Sequence, residues 1–468
     1  MEKIVTPCLP AGRPAYRQAG SRFLINFLLA PAENDDKMKI DTVILGGGIA
    51  GLSVAYHLKN KKYVILEKEH LVGGLCKSVT DKNGFIYDYT GHLLHIKSKY
   101  VKKLVRKLLK KNLALKNRNS WIYSNNVFTR YPFQANLFGL PEKIIYECIE
   151  GFVEAKLLNS QFSILNSQFC FYDWCLKTFG NGISKYFMIP YNEKLWRIDI
   201  KKLTCDWLGN YVPQPTLQEV ITGAFTDNNK KIGYNATFFY PKMGGIQSLI
   251  DELKKNIPGI KTDVKISSID ISKKIVKTNS GEMKYKNLVS TIPLPEIVKL
   301  IKGVPENVKK ASKKLKWTSV LNINLGIKRK NISNKHWIYF PEKKFNFYRA
   351  GFYRNFSESL CPEGTSSMYI EISYRNRKTS KEKMLKKTIG KLKSAKILKS
   401  SDKIISECIL DIPYAYVIYD KNRKSSLETI RNYLRKNFIF SIGRFGGWKY
   451  STMEDAILEG KETTKWLK

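Results

Sequence analysis

The segment Val43-Ile44-Leu45-Gly46-Gly47-Gly48-Ile49-Ala50-Gly51-Leu52 decides the fold of this chain. An apolar run ends in a G-x-G-x-x-G turn, and a helical pattern follows it. A second apolar run, Tyr63-Val64-Ile65-Leu66, then leads directly to Glu67, 21 residues after Gly46. This order of strand, glycine turn, helix, strand and acid is that of a dinucleotide-binding βαβ unit.

Each residue of the motif has a physical task. Gly46 permits the tight turn, Gly48 lets backbone N–H groups approach a pyrophosphate, and Gly51 lets the helix pack closely on the strand. The helix N-terminus attracts the phosphates because its N–H groups are unpaired and its dipole is positive there. Glu67 is expected to accept hydrogen bonds from the adenosine ribose.

Two further glycine clusters favour FAD over NAD. Gly73-Gly74 follows the second strand, and Gly91-His92 comes soon after it. A glycine pair just past the acid is typical of amine-oxidase-type flavoproteins, although a simple glycine turn would look the same. Near the C-terminus, Gly443-Arg444-Phe445-Gly446-Gly447-Trp448 precedes a helical pattern that contains Asp455. This late loop indicates that the chain returns to close the cofactor site.

Composition describes a globular protein with a strongly basic surface. The 468 residues are 43% hydrophobic and 12% aromatic, enough for two or three domains. The formal net charge is +41, but lysine is spread along the whole chain. Because no arginine-rich tract with interleaved aromatic residues occurs, nucleic acid is not expected as the main ligand. Attraction to anionic nucleotide sugars or to a lipid surface, as peripheral membrane association, remains open.

Cysteine and histidine usage argues against metal and disulfides. The eight cysteines form no C-x-x-C pair, and the five histidines do not cluster with them. No metal site is therefore expected, and a reducing cytoplasm fits best. The apolar run Phe23-Leu24-Ile25-Asn26-Phe27-Leu28-Leu29-Ala30-Pro31-Ala32 is too short to span a bilayer, so no transmembrane segment is expected, although it could imitate the apolar part of a signal peptide.

The sequence predicts an α/β fold with a Rossmann-like FAD-binding domain that is discontinuous in sequence. Residues 1–37 follow no helical or strand pattern, and Met38 is interpreted as the natural start. Residues 1–37 are therefore expected to be dispensable for folding. The predicted parts are an N-terminal extension, three parts of the FAD-binding domain, an inserted helical subdomain and an antiparallel-sheet substrate domain. The extension spans residues 1–37, and the three parts of the FAD-binding domain span residues 38–98, 231–300 and 431–468. The helical subdomain spans residues 99–230, and the substrate domain spans residues 301–430. The tandem repeat Leu158-Asn159-Ser160-Gln161-Phe162 and Leu165-Asn166-Ser167-Gln168-Phe169 is interpreted as a surface-loop insertion.

Several stretches together resemble the UDP-galactopyranose mutase family, closest to its eukaryotic-type branch, within the amine-oxidase and protoporphyrinogen-oxidase-like flavoproteins. The match runs in the family's order from about Met38 to the C-terminus. Its stretches are Tyr131-Pro132-Phe133-Gln134, Phe187-Met188-Ile189-Pro190-Tyr191-Asn192-Glu193-Lys194-Leu195-Trp196, Asn235-Ala236-Thr237-Phe238, Trp337-Ile338-Tyr339-Phe340-Pro341-Glu342, Phe347-Tyr348-Arg349-Ala350 and Gly443-Arg444-Phe445-Gly446-Gly447-Trp448-Lys449-Tyr450.

The resemblance implies an isomerase that interconverts UDP-galactopyranose and UDP-galactofuranose for surface polysaccharide synthesis. Its FAD would be used in the reduced form, supplied with electrons by NAD(P)H or another reductant, and its N5 would form a sugar adduct while UDP leaves. The resemblance implies catalytic roles for Arg349, Tyr414, Tyr450 and the flavin-adjacent His92. It further implies cofactor contacts at Gly46, Gly48, Gly51, Glu67, Gly73, Gly74, Gly91, Gly443, Arg444 and Asp455, and UDP-sugar contacts at Tyr131, Gln134, Tyr191, Asn192, Trp337 and Tyr339.

Two positions depart from the family pattern. Ile189 stands where the family has a second diphosphate-clamping arginine, and Thr90 replaces a glycine before Gly91-His92. Isoleucine offers neither charge nor hydrogen-bond donors, so Arg349 would carry most of the diphosphate recognition. The alternatives are a FAD-dependent oxidoreductase of the protoporphyrinogen-oxidase or amine-oxidase type, and a catalytically silent flavoprotein in a glycan assembly complex.

Overall fold

The structure is a computed structural model that describes residues 40–58, 62–159, 169–209, 211–227, 233, 235–376 and 380–467. The predicted N-terminal extension, the proposed start at Met38 and most of the tandem repeat lie outside the described residues.

Strands and helices alternate through the first part of the chain and recur at its end. In chain order the strands are β1 (Thr42–Leu45), β2 (Tyr63–Leu66), β3 (Ser78–Thr80), β4 (Ile86–Asp88), β5 (Leu113–Asn117), β6 (Ser120–Ser124), β7 (Val127–Arg130), β8 (Thr237–Pro241), β9 (Ile260–Lys261), β10 (Ile266–Asp270), β11 (Ile275–Thr278), β12 (Gly281–Lys284), β13 (Asn287–Ser290), β14 (Trp317–Ile327), β15 (Trp337–Tyr339), β16 (Arg349–Phe352), β17 (Ser366–Tyr374), β18 (Ile404–Val417) and β19 (Ile439–Ser441). The helices are α1 (Ile49–His57), α2 (Lys99–Leu109), α3 (Glu142–Asn159), α4 (Phe171–Ile183), α5 (Ile189–Trp196), α6 (Leu217–Phe225), α7 (Gln247–Lys254), α8 (Leu294–Leu300), α9 (Glu306–Lys314), α10 (Tyr353–Phe356), α11 (Lys381–Ser394), α12 (Arg423–Lys436), α13 (Gly443–Gly446) and α14 (Met453–Thr463).

A parallel five-stranded sheet holds the glycine motif. Its order is β19-β13-β1-β2-β9, so its strands come from three separate parts of the chain. All four residues of β1 are buried, as expected for a parallel strand that is covered on both faces. Helices α1, α2, α7 and α14 pack their apolar residues against one another and against Ile44, Ile65 and Val289 of this sheet. The sheet thereby places the G-x-G-x-x-G turn at the carboxyl ends of its strands.

A seven-stranded sheet forms the second layer. Its order is β18-β14-β17-β16-β15-β6-β7, and all neighbours are antiparallel except β15 and β6. Apolar residues of α11, including Leu385 and Leu392, join Ile323 and Ile370 of the sheet in one buried cluster. This parallel sheet and this antiparallel sheet together confirm the predicted α/β fold class.

The range 99–230, predicted as a helical subdomain, is more mixed than expected. It contains α2, α3, α4, α5 and α6, but also β5, β6 and β7, and β6 and β7 complete one edge of the large sheet. The missed signal is Asn125-Asn126, whose φ angles of 53° and 63° form the tight turn between β6 and β7. Asparagine tolerates positive φ, and such pairs are typical of two-residue hairpins. None of the helices in the described part of the chain is both long enough and apolar enough to cross a membrane.

Candidate functional site

The G-x-G-x-x-G turn has the geometry that its glycines predict. Gly46 has φ 97°, and a Cβ atom on Gly51 would lie 2.1 Å from the Gly46 carbonyl oxygen. Any side chain at Gly51 would therefore separate α1 from the turn. Gly47 N–H donates to Glu67 Oε2 at 2.7 Å and Glu69 N–H donates to Glu67 Oε1 at 3.0 Å. These bonds fix the Glu67 carboxylate at the end of β2, beside the glycine turn.

The second glycine pair lies against the first turn. Gly73 N–H donates to the Gly47 carbonyl oxygen at 2.8 Å, and a Cβ atom on Gly48 would have Gly74 Cα as its nearest neighbour, at 3.8 Å. Gly48 is the N-cap of α1 and makes no side-chain cap. Within the described ranges, no side-chain cap takes up the N–H groups of the first helical turn, which suits a pyrophosphate as their acceptor.

The C-terminal glycine loop reaches the same place. Gly443 has φ 78°, and a Cβ atom there would lie 2.9 Å from the Ala50 Cβ of α1. Arg444 donates to the carbonyl oxygens of Ser451 at 2.8 Å and Ala415 at 3.1 Å. The first and the last glycine loops therefore meet at the N-terminus of α1.

Asp455, predicted as a cofactor contact, has a local partner. Its side chain accepts from Thr452 N–H at 2.7 Å, and Thr452 Oγ1 accepts from Asp455 N–H at 3.2 Å, which forms a capping box on α14. This carboxylate therefore stabilises the start of α14.

Next to these loops lies a set of aromatic and cationic side chains, the tyrosine–arginine cluster. The Tyr416 and Tyr450 rings stack at 6.3 Å, and the Arg444 guanidinium lies 4.9 Å from the Tyr450 ring centre. The Tyr339 ring lies 5.0 Å from that of Tyr131 and 5.3 Å from that of Tyr191. The cluster consists of Tyr131, Tyr191, Tyr339, Tyr348, Arg349, Tyr416, Arg444 and Tyr450.

Arg349 is the cation of this cluster that stands on the large sheet. Its Nε and Nη2 each donate to the Glu371 carboxylate at 2.7 Å, and Glu371 is fully buried. Burial opposes the charge of Arg349, but the neighbouring groups, led by the Glu371 carboxylate, together outweigh it and hold the pKa of the guanidinium well above its ordinary value. Among the described residues, the third nitrogen, Nη1, donates to none, so Arg349 retains both N–H groups of Nη1 for a ligand.

The two predicted catalytic tyrosines are separated. Tyr450 lies in the cluster, whereas the Tyr414 hydroxyl donates to Glu296 and its ring stacks on Trp317 at 4.7 Å. Tyr416, two residues later, takes the place beside Tyr450, and its hydroxyl lies 3.5 Å from that of Tyr348. Burial raises the pKa values of both Tyr416 and Tyr450, so their hydroxyls stay protonated and able to donate.

His92 is held as a neutral imidazole. Removal from water, and then the positive charges of Arg444 and Arg349, lower its pKa to about 4. Its buried Nδ1 has no hydrogen-bond partner among the described residues. Gly91 cannot carry a side chain here, because a Cβ atom would lie 2.5 Å from the Tyr369 hydroxyl oxygen.

The remaining predicted substrate contacts differ in which of their side-chain donors and acceptors lack a hydrogen-bond partner. Gln134 Nε2 donates to the Pro213 carbonyl oxygen at 2.6 Å, while its buried Oε1 is unpartnered within the described ranges, as is the buried Trp337 Nε1. Asn192 is saturated inside α5: its Nδ2 donates to Met188 O at 2.7 Å and its Oδ1 accepts from Trp196 Nε1 at 3.0 Å. Ile189 is a partly buried residue packed against the main apolar core.

The sequence did not reveal some members of the site. Tyr348, Tyr416 and the buried Glu371 were not singled out, nor was Arg118, which lies 4.8 Å over the Tyr131 ring and donates to Asn235 Oδ1. A signal for Glu371 was present, since an acid inside the strand Met368-Tyr369-Ile370-Glu371-Ile372 requires a buried cation.

Comparison with known families identifies the cofactor class. The family model described as "Flavin containing amine oxidoreductase" matches residues 49–463. The chain belongs to this family. Its members contain flavin, and the paired glycine turns, the uncapped helix N-terminus and Glu67 described above fit the dinucleotide part of such a cofactor.

Solved structures agree with this assignment. The chain is similar to a crystal structure of reduced UDP-galactopyranose mutase, with 26% identity, a TM-score of 0.86, and coverage of 92% of this chain and 94% of that one. It also has the fold of a putative protoporphyrinogen oxidase from Exiguobacterium sp. 255-15, with 14% identity, a TM-score of 0.71 and coverage of 92% and 98%.

One curated relative matches over a short segment. It is the inactive all-trans-retinol 13,14-reductase of Danio rerio, 40% identical over 68 residues. This segment is 13% of the present chain and only 11% of that protein's length. The match therefore carries no argument about substrate.

Proposed function

We propose that this protein is a FAD-dependent mutase that interconverts UDP-galactopyranose and UDP-galactofuranose. The observation that carries the proposal is the tyrosine–arginine cluster, which lies where the N-terminal and C-terminal glycine loops meet. It combines hydroxyl and guanidinium donors with aromatic rings, as a nucleotide diphosphate requires. The likeness to reduced UDP-galactopyranose mutase, at 26% identity over 92% of the chain, supports the same substrate class.

The FAD would be held by the βαβ unit and the two later loops. Gly48 and the first N–H groups of α1 would bind the pyrophosphate, and Glu67 would accept from the ribose. Gly91-His92 and Gly443-Arg444 would flank the flavin ring. When bound and reduced, the flavin would supply the nucleophile for the anomeric carbon, so no serine, cysteine or carboxylate nucleophile would be needed.

The residues of the cluster would stabilise the charge that develops on UDP as it leaves. Arg349 Nη1 has no partner among the described residues, and Glu371 fixes the guanidinium plane, so little reorganisation is needed when the diphosphate binds. The protonated hydroxyls of Tyr416 and Tyr450 are further donors. Since Ile189 supplies no cation from α5, Arg349 carries most of the diphosphate recognition.

The nucleoside end would meet Tyr191, the half-buried outer ring of an aromatic stack. The rings of Phe133, Phe187 and Tyr191 stack in series, with centroid distances of 5.3 Å at both steps. The unpartnered Gln134 Oε1 is an acceptor for the uracil N–H group. An unpartnered buried oxygen raises the free energy of the folded protein. A hydrogen bond from the base would remove this cost.

The direct test is conversion of UDP-galactofuranose by the reduced, FAD-loaded protein, with the products separated by chromatography. We expect UDP-galactopyranose to form with the reduced protein only. The oxidised protein is the control for the flavin, and Tyr450→Phe, with normal FAD content, is the control for the cluster and should be slower. Absence of product, with the reduced flavin reoxidised by an unrelated substrate, would favour the oxidoreductase alternative.

A further inference from the structure

The backbone that leads into Tyr450 is held by two arginines of α12. Arg423 Nε donates to the Trp448 carbonyl oxygen at 3.2 Å, and Arg423 Nη2 donates to the same oxygen. Further along α12, Arg431 Nη2 donates to the Gly447 carbonyl oxygen at 2.8 Å. Two consecutive carbonyl groups are thus bound by side chains that are remote from them in sequence.

A tyrosine between β18 and α12 continues this support to Tyr450 itself. The Tyr419 hydroxyl oxygen accepts from Tyr450 N–H at 2.8 Å. The Arg423 guanidinium lies 3.7 Å from the Tyr419 ring centre, which is a cation–π distance. Since Tyr419 is buried, its ring has little freedom to turn away. We call Tyr419, Arg423 and Arg431 the α12 brace.

The two arginines of the α12 brace bind backbone oxygens and form no ion pair. In the described part of the chain, no carboxylate lies within ion-pair distance of Arg423 or Arg431. Burial lowers the pKa of both guanidinium groups, so the protein keeps these charges against a desolvation cost. Their bonds to the carbonyl oxygens of Trp448 and Gly447 are what each charge is used for.

The braced segment has a strained backbone. Trp448 has φ 49°, a left-handed conformation that costs free energy for any residue except glycine. Its side chain is fully buried, and its carbonyl oxygen is the atom that Arg423 binds. Without these bonds the strained peptide could relax, and Tyr450, two residues later, would move with it.

The cofactor end of the same loop has separate anchors. Gly443 N–H donates to the Glu459 carboxylate at 3.0 Å, and Ser441 Oγ donates to the Gly446 carbonyl oxygen at 3.0 Å. Neither bond involves the α12 brace. A change in the brace should therefore displace Tyr450 and leave Gly443 in place.

We infer that Tyr419, Arg423 and Arg431 are positioning residues for Tyr450 in diphosphate recognition. They act through the backbone: the α12 brace fixes the main chain of Tyr450, whose ring then stacks on Tyr416 at 6.3 Å. The inference rests on the proposed function for its ligand, UDP.

A double-mutant cycle on the full, FAD-loaded protein tests this role. Arg423→Met removes the donors and keeps an apolar stem, and it should weaken UDP binding about tenfold in calorimetric titration while FAD affinity stays within about twofold. In the Tyr450→Phe background the same change should have almost no further effect, because the hydroxyl that the brace positions is already absent. Equal losses in both backgrounds would overturn the inference.

Three other variants sharpen the result. Arg423→Lys keeps a cation and one donor near Tyr419 and should recover most of the UDP affinity. Tyr419→Phe removes only the acceptor for Tyr450 N–H and should cost about threefold or more, so it tests the brace even where Arg423→Met fails to fold. Arg435→Gln, at an exposed arginine in the last turn of α12, is the matched control. A loss in Arg435→Gln equal to that in Arg423→Met would overturn the inference in favour of a general charge effect.

Hydrogen exchange at the Tyr450 amide separates this inference from the proposed function. We expect slow exchange in the wild-type protein and exchange at least about tenfold faster in Arg423→Met, with or without UDP. A wild-type protein that binds no UDP but shows this acceleration would reject the proposed function and keep the positioning of Tyr450. Unchanged exchange in both Arg423→Met and Tyr419→Phe would overturn the inference.

Discussion

Arg349 and Glu371 occupy paired positions on neighbouring strands β16 and β17, and their side chains form a two-bond ion pair with both distances at 2.7 Å. Glu371 is fully buried, while 19% of the Arg349 side chain is exposed. The carboxylate therefore serves as a fixed support that turns the free edge of the guanidinium toward the tyrosine–arginine cluster.

Replacement of Arg349 should affect stability and ligand binding separately. Arg349→Ala leaves a buried carboxylate without a partner, and we expect a loss of about 3–5 kcal/mol in unfolding free energy together with the loss of UDP binding. The double variant Arg349→Met with Glu371→Leu should regain most of the stability but none of the UDP affinity. Denaturant unfolding and UDP titration measure the two effects. An Arg349→Ala protein with unchanged UDP affinity would place the nucleotide elsewhere.

Tyr416, not Tyr414, should be the tyrosine that matters for the diphosphate. Tyr416→Phe removes a donor beside Tyr450, and we expect turnover and UDP affinity to fall about tenfold, the value of one hydrogen bond to a charged group. Tyr414→Phe removes the bond to Glu296 instead and should change only stability. Steady-state kinetics of this matched pair decide the assignment, and the reverse order of effects would restore Tyr414.

The geometry of the first glycine turn could be predicted because it is local. Gly46, Gly51 and Glu67 lie within one strand–helix–strand unit, and each glycine is required by a contact inside that unit. The later loop at Gly443 could be anticipated as well, since a glycine-rich turn before a helix has few other uses. The resemblance to a flavoprotein family then supplied the order of the remaining motifs.

The substrate half depends on tertiary details that have no local signature. The pairing of β14 with β18 shifts register between Thr318 and Val320, so an irregular stretch of β18 holds Tyr414 away from Tyr416. A strict alternation of side chains would have placed both tyrosines on one face. The ion pair of Arg349 could not be foreseen either, because it needs the register of β16 on β17.

Thr90 occupies a backbone conformation that suits glycine, with φ 77°. A β-branched residue is strained there, so Thr90→Gly should raise the unfolding free energy by about 1 kcal/mol once the greater freedom of unfolded glycine is deducted. Thr237→Gly, in the strand β8, is the matched control and should destabilise. Thermal unfolding of the two variants gives the comparison; a Thr90→Gly protein that melts at a lower temperature would contradict the strain argument.

Stability should fall steeply in mild acid. Burial lowers the pKa values of His92, His95 and His336 to about 4. Between about pH 6.5 and pH 4 these imidazoles therefore stay neutral in the folded protein, whereas the unfolded chain binds protons. Stability is lost as the pH falls below about 6.5. Burial raises the pKa of Asp88 to about 6, so the folded state binds this proton first, which offsets one histidine.

The net difference of two protons predicts a slope of up to about 2.7 kcal/mol per pH unit between pH 6 and pH 4. Denaturant unfolding at several pH values measures this slope. His336→Asn keeps an acceptor for Asn119 N–H, which donates to His336 Nδ1 at 2.9 Å, and should reduce the slope by about 1.4 kcal/mol per pH unit. A flat profile over this range would show that the histidines are protonated in the folded protein.

The two glycines of the first turn should fail in different ways when replaced by alanine. At Gly51 the added methyl group would lie 2.1 Å from a backbone oxygen, so Gly51→Ala should unfold or aggregate even without flavin. At Gly48 the nearest atom would be 3.8 Å away, so Gly48→Ala should fold normally. Its methyl group would instead occupy the space where a pyrophosphate approaches the backbone, and FAD affinity should fall at least about tenfold.

Gly390→Ala, in α11 with open space around it, is the control and should keep its flavin content while gaining up to about 1 kcal/mol in stability. Thermal unfolding of flavin-free protein and titration with FAD separate the two defects. Normal FAD affinity in Gly48→Ala would mean that the dinucleotide does not pass this turn, and the assignment of the cofactor to the N-terminus of α1 would then be wrong.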